Sequence, residues 1–252
     1  MPDTRRRRTV IVFDDLEVEE ERLEGILAAL DHQSWLHPSA APGWSVADVV
    51  LHLAQSEEMV VASARSFVSD LREGISGETL DQIMGAMVEA ERDEPEKVFE
   101  RWRAARRSTL ELLSEADPSS RIAWATNPLS PATLATTRLA EHWAHALDIA
   151  EPFGIHLEDT ARLRHVAWLG HRTLPYAFSL AGVTPVDVRC ELTGPVDERW
   201  EFGPESARSR VSGPAGDFCR VGAQRLTPDR SRLETSGPDG ERALRLLRNY
   251  AV

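Results

Sequence analysis

Apolar residues recur along the first part of the chain at the spacing of a helix face. Leu16, Leu23, Ile26, Leu27 and Leu30 form one stripe between Asp14 and about Gln33, with glutamates expected opposite. The stretch SWLHPSAAPGW is punctuated by Pro38, Pro42 and Gly43 and reads as loop. Ser45 then stands as an N-cap, with Asp48 three residues on in the place of a capping-box acid. The helix it starts carries an inward stripe of Val49, His52, Leu53, Ser56, Met59 or Val60, Ser63 and Phe67. Gly74 and Gly77 end it, and a further helical piece is expected at 79–92. Pro95 and Pro131 each open another long helix, 95–115 and one running to Pro152 and Gly154. A short apolar contact at Ile122–Trp124 lies in the loop between them. Four long helices joined by uneven loops predict a four-helix bundle with one longer crossover.

The pattern changes after Gly154. One more helix is expected at 158–182, followed by strands in VDVRCELTG, ERWEFG and SRVSG, and by short helices near 214–225 and 239–250. The fold class is therefore α+β. Residues 1–13 read as a disordered or extended tail, 14–157 as the helical bundle and 158–252 as a smaller α+β domain.

Composition narrows the function. The 252 residues are 42% hydrophobic and carry a net charge of −12. Apart from the run Arg5–Arg8, no basic stripe is present, which disfavours nucleic acid as a partner. No apolar run approaches the ~20 residues that span a bilayer, and the TVIVF stretch is too short for a signal-peptide core. A cytoplasmic location with no membrane association is expected. Cys190 and Cys219 lack CxxC spacing and are expected as reduced, partly buried thiols.

The chemistry concentrates in RLAEHWAHALDIAE, residues 138–151. Glu141 and His145 stand four apart and share a helix face, with side chains about 5–6 Å apart at Cβ. Alone, such a pair is more often a solvated contact than half of a metal site, and a metal needs at least one more protein ligand. His52 lies on the inward stripe of another bundle helix, where facing helices build metal sites. His142 is about 100° off Glu141 around the helix and reads as packing or surface, pointing away from any such centre. Asp148 reads as helix-end structure, and Asp48 as a cap or a partner of His52 one turn on. His37, His165 and His171 read as surface or capping groups, and Trp44, Trp124 and Trp143 as core.

Three stretches, GWSVADVVLHLAQSE, RLAEHWAHALDIAE and SGPAGDFCRVGAQR, together resemble the mycothiol-dependent maleylpyruvate isomerase family. The likeness covers the chain from about residue 14, and its HVAWLGHRTLPYAFSLAGV segment is closer to an actinobacterial branch than to the isomerase itself. The resemblance implies a DinB-like metal-binding four-helix bundle followed by a smaller α/β domain. It also implies a metal triad at His52, Glu141 and His145, and a catalytic arginine facing the active site at Arg225, with Arg220 nearby. Two imidazoles and one carboxylate suit zinc and leave a position open, although Ni2+ and Fe2+ accept the same donors. A thiol bound there loses its proton, and thiolate addition to a double bond, rotation and elimination would isomerise a small electrophilic substrate. Mycothiol is the implied cosubstrate, and Arg225 the partner of a substrate carboxylate. The expected activity is a thiol-dependent isomerase or thiol transferase. The rival readings are a thiol-independent metal hydrolase or lyase/cyclase, whose nucleophile is metal-bound water, and a non-catalytic metal- or ligand-binding protein.

Overall fold

The computed structural model describes residues 4–66, 80–124 and 127–250. The chain divides between Leu157 and Glu158 into two compact units.

The first unit is helical. Helices α1 (Thr4–Ala28), α3 (Val46–Ser66), α5 (Pro95–Glu115) and α6 (Pro131–Ala150) pack as a four-helix bundle. The short α2 (His32–Leu36) and α4 (Leu80–Ala90) lie against α3. The start of α1 corrects one expectation. Residues 4–13 are helical rather than a tail, because arginine is a good helix former and the segment continues an established helix without nucleating a new one. Phe67, Gly74 and Gly77, expected at the end of the long helix, lie outside the described residues.

Local chemistry accounts for the ends. Ser45 Oγ accepts from the Asp48 N–H at 3.1 Å, and Asp48 Oδ2 accepts from the Ser45 N–H at 3.0 Å. This is the expected reciprocal box. Asp48 has a second partner, Arg92, at 2.8 Å, and does not act through His52. Pro95 and Pro131 occupy the first positions of α5 and α6, where a missing N–H costs nothing. Gly154, at φ 63°, ends the 3-10 turn that follows α6. Asp31 caps α2, a helix too short to show a period.

The bundle core contains Leu23, Leu27, Val46, Val49, Leu53, Val98, Trp102 and Ile149, all at or below 2% exposure. Burying each large aliphatic side chain contributes about 1.5–3 kcal/mol. The buried stripe of α1 runs Val12, Leu16, Glu19, Glu20, Leu23 and Leu27, so two glutamates share the apolar face instead of lying opposite it. In α3, Val60 is the buried member of the Met59/Val60 pair.

The second unit is α+β. Helix α7 (Leu163–Leu180) precedes a four-stranded sheet of β1 (Val188–Thr193), β2 (Arg199–Phe202), β3 (Ser209–Pro214) and β4 (Glu234–Ser236). The order is β2-β1-β3-β4, with β1 and β3 parallel and the outer pairs antiparallel. Helices α8 (Ala215–Gly222) and α9 (Gly240–Leu246) pack on α7. Alternation decides which side chains enter the core. Val188, Cys190, Leu192, Trp200, Phe202 and Val211 are buried, while Arg189, Glu191, Arg199, Glu201 and Arg210 form an ion-pair lattice on the opposite face. Strand β4 was not legible: its three residues are exposed and alternate in nothing. Helix α7 begins at 163, later than expected, and the turn before it is tied to α8 by Asp159 and Arg220.

Candidate metal centre

The two halves of the site come from α3 and α6. His52 is carried by the capped first two turns of α3, and Glu141 and His145 by adjacent turns of α6, a helix buried over most of its circumference. Glu141 Oε2 lies 3.7 Å from His52 Nε2 and 3.5 Å from His145 Nε2. The ligand atoms of all three residues fall within 4.8 Å of one another.

These separations test the fit of a cation. Two donors about 2.0–2.2 Å from an ion at a tetrahedral angle stand roughly 3.3–3.6 Å apart. The 3.5 Å contact falls within that spacing and the 3.7 Å contact just beyond it, and both are too long for good hydrogen bonds. The donor set is two imidazoles and a carboxylate, so the residues suit a divalent ion. The side chains of His52, Glu141 and His145 keep 12%, 29% and 11% exposure, so a small molecule can approach the carboxylate side.

Their surroundings tune each group. Burial raises the Glu141 carboxyl, but contacts with His145 and His52 and the charge of Arg138 outweigh it and hold the group well below the usual carboxylate range. Burial also lowers the His52 imidazole, leaving it neutral and ready to donate a lone pair. His145 is lowered by burial and raised more strongly by Asp148 and Glu141. Asp148, expected as helix-end structure, accepts a hydrogen bond from His145 Nδ1 at 2.9 Å. The signal was in the sequence: Asp148 lies one turn beyond His145. Trp44 is half-buried beside the site, its ring 5.0 Å from that of His52 and 6.4 Å from that of His145.

His142 points away from this centre, as expected, but into a buried polar core. It is fully enclosed, with Trp102 Nε1 donating to its Nε2 at 3.0 Å and its Nδ1 bonded to the Arg138 carbonyl at 2.9 Å. Glu20 and Glu57 stand close enough to form a second group of ligand-type atoms with it. Its tautomer argues against a metal there. An indole N–H only donates, so Nε2 is the acceptor and Nδ1 carries the proton. No lone pair is left for an ion. Burial pushes His142 down to about 4, and burial beside Glu57 raises Glu20 well above the carboxylate range. The cluster is a neutralised polar core built around the ion pair of Arg138 with Glu57, 2.7 Å apart.

Residues 16–150 match the family described as mycothiol maleylpyruvate isomerase N-terminal domain. An uncharacterized protein of Mycobacterium tuberculosis strain H37Rv is 32% identical over 241 residues, covering 94% of each chain. The chain belongs to the mycothiol maleylpyruvate isomerase family. The counterpart in M. tuberculosis strain CDC 1551 / Oshkosh matches to the same extent. The crystal structure of a mycothiol-dependent maleylpyruvate isomerase superposes with a TM-score of 0.61 at 14% identity, covering 91% of this chain and 96% of that one. A variant of that enzyme with one histidine replaced by alanine gives 0.60. At that identity the likeness establishes the two-part fold, which agrees with the α+β expectation.

Arg225, the remaining site residue expected from the family, lies in the second unit, three residues beyond the end of α8. It is exposed, and its guanidinium donates to the Ala223 carbonyl. Arg220 is engaged in a two-pronged pair with Asp159. Both cysteines are enclosed, and burial raises the Cys190 thiol to about 12 and the Cys219 thiol well above its ordinary value. Among the described residues no helix is long and apolar enough to cross a membrane.

Proposed function

We propose that this family member is a cytoplasmic, metal-dependent enzyme that holds a divalent ion, zinc in preference to Ni2+ or Fe2+, on His52, Glu141 and His145. Its reaction is a mycothiol-dependent isomerisation or thiol transfer on a small, electrophilic, anionic substrate. The observation that carries the reading is the convergence of three ligand atoms from two helices, all within 4.8 Å of one another and with both imidazole nitrogens 3.5 and 3.7 Å from Glu141 Oε2. When bound, such an ion supplies Lewis acidity and an open position that favours a thiolate over a thiol.

The chain's own residues supply the rest. Glu141 brings negative charge, and the contacts with His145 and His52, with the charge of Arg138 added, outweigh burial and favour its ionised form. Neutral His52 offers its lone pair without first losing a proton. Trp44 walls the imidazoles. The two thiols of the chain are buried and held protonated, so a thiol reactant must come from outside. This supports a cosubstrate such as the mycothiol named for the solved family member. Arg225 is proposed as the catalytic cation that handles a substrate carboxylate.

The test assays metal-depleted and zinc-loaded protein on unsaturated small acids, with and without mycothiol. Turnover is expected only with both metal and thiol. His52→Ala is expected to lower zinc content and abolish turnover while the helical circular dichroism persists. Arg225→Ala is expected to keep the zinc and raise KM or lower kcat. Full rate without thiol overturns the thiol chemistry in favour of a hydrolase or lyase. Wild-type turnover in a triple ligand variant makes the metal incidental and leaves a binding protein.

A further inference from the structure

The two imidazoles are held unequally. His145 donates from Nδ1 to the Asp148 carboxylate, whereas His52 Nδ1 is buried with no hydrogen-bond partner. An ionised carboxylate only accepts, so the His145 proton is fixed on Nδ1 and its lone pair on Nε2, the atom nearest Glu141. His52 has no equivalent and is held by packing against Trp44.

Trp44 is itself held from the same place. It closes a loop in which its carbonyl accepts from the Ser39 N–H and Oγ, and in which Pro38 and Ser45 form a bridge. Gly43, at φ 82°, makes the turn before it. The loop is tied to α6 by one main-chain hydrogen bond, Ala40 N–H to the Asp148 carbonyl, at 2.8 Å. That carbonyl lies in the last turn of α6, where helical partners run out.

We propose that Asp148 is the positioning residue of the metal centre. Its carboxylate orients His145, and its carbonyl anchors the loop that lays Trp44 on His52. Local physics disfavours an acid here. A negative charge near a helix C-terminus opposes the macrodipole, and α6 has no basic residue in its last turn to offset it. A carboxylate with 3% exposure is costly unless bonded. Both penalties are borne at one position, whose carboxylate bonds a metal-ligating imidazole. A charged acceptor on the far nitrogen makes His145 the more basic ligand and His52 the weaker one.

The inference rests on the reading of His52, Glu141 and His145 as metal ligands, and the experiment separates the two. Zinc affinity is measured by competition with a chromogenic chelator for the wild type, Asp148→Ala, Asp148→Asn and a His52→Ala/His145→Ala double variant. Tryptophan emission is followed on zinc addition in the wild type and Trp44→Phe. Asp148→Ala is expected to bind zinc about 10–100-fold more weakly. Asp148→Asn keeps an acceptor oxygen but not the charge, and should fall between it and the wild type. The zinc-induced emission change is expected to vanish in Trp44→Phe. Wild-type affinity in both Asp148 variants, with binding lost in the double-histidine variant, overturns the positioning role and leaves the metal site standing. Wild-type affinity in the double-histidine variant overturns the metal site itself. If Asp148→Ala does not fold, Asp148→Asn decides, and an affinity equal to wild type refutes the carboxylate's role. An emission change that persists in Trp44→Phe refutes the placement of the indole.

Discussion

Arg138→Met should destabilise the bundle strongly, and a second substitution should restore it. Arg138 keeps 2% exposure and Glu57 none, and their charged atoms meet at 2.7 Å. A second guanidinium nitrogen donates to Ser56 Oγ, also at 2.7 Å. Methionine fills much of the arginine stem's volume but leaves Glu57 without its cation, and Glu57 Oε2 already lacks a hydrogen-bond partner. Removing one partner of a buried pair costs about 3–5 kcal/mol, because an uncompensated charge stays in the interior. For a domain of this size each kcal/mol moves Tm by roughly 2–4 °C, so the expected fall is on the order of 6–20 °C. Replacing both partners, Arg138→Met with Glu57→Leu, removes the stranded charge and should recover most of the loss. Thermal denaturation of metal-free protein, followed by far-ultraviolet circular dichroism, gives both numbers. A single variant within about 1 kcal/mol of wild type, or a double variant no more stable than the single, refutes the reasoning.

Asp48→Ala should lower Tm by about 2–4 °C, reflecting roughly 1 kcal/mol for a lost cap. Burial raises the Asp48 carboxyl, but its bonds to Arg92 and Ser45 outweigh this and hold it below the ordinary range. A depressed carboxyl stabilises the fold above its unfolded value, and the benefit fades as pH falls through the folded one. The Tm gap between wild type and variant should therefore be full at neutral pH and close below about pH 4; a gap independent of pH contradicts the assignment. Cys190 and Cys219 should resist a thiol reagent in native protein and react once guanidinium unfolds it. Rapid native labelling of either would show that its enclosure is wrong.

Much of this arrangement was legible from particular residues. Ser45 and Asp48 announced the start of α3, and Pro95 and Pro131 those of α5 and α6, because capping is a local matter of a few residues. The helical period placed His52 inward, and the i,i+4 spacing paired Glu141 with His145. The polar core was hidden for the opposite reason. Its members come from four helices, Glu20 from α1, Glu57 from α3, Trp102 from α5 and Arg138 with His142 from α6, and charged residues read one helix at a time look like solvated faces. A trace was present: Glu20 falls four residues after Leu16 and three before Leu23, squarely on the apolar stripe. The role of Asp148 was obscured by its position at a helix end, where a structural reading suffices until the distance to His145 is known.

The ligands of the proposed centre lie on α3 and α6, with α4 and α5 between them in the chain. No local segment can assemble the set, so an ion recognises only a closed bundle. Any affinity it has is then added to the stability of the folded state. At free zinc 100-fold above the dissociation constant that linkage is worth about 2.7 kcal/mol. The ion would therefore act as a clasp between two helices as well as a reagent. Depleting it would loosen the bundle before any substrate was offered.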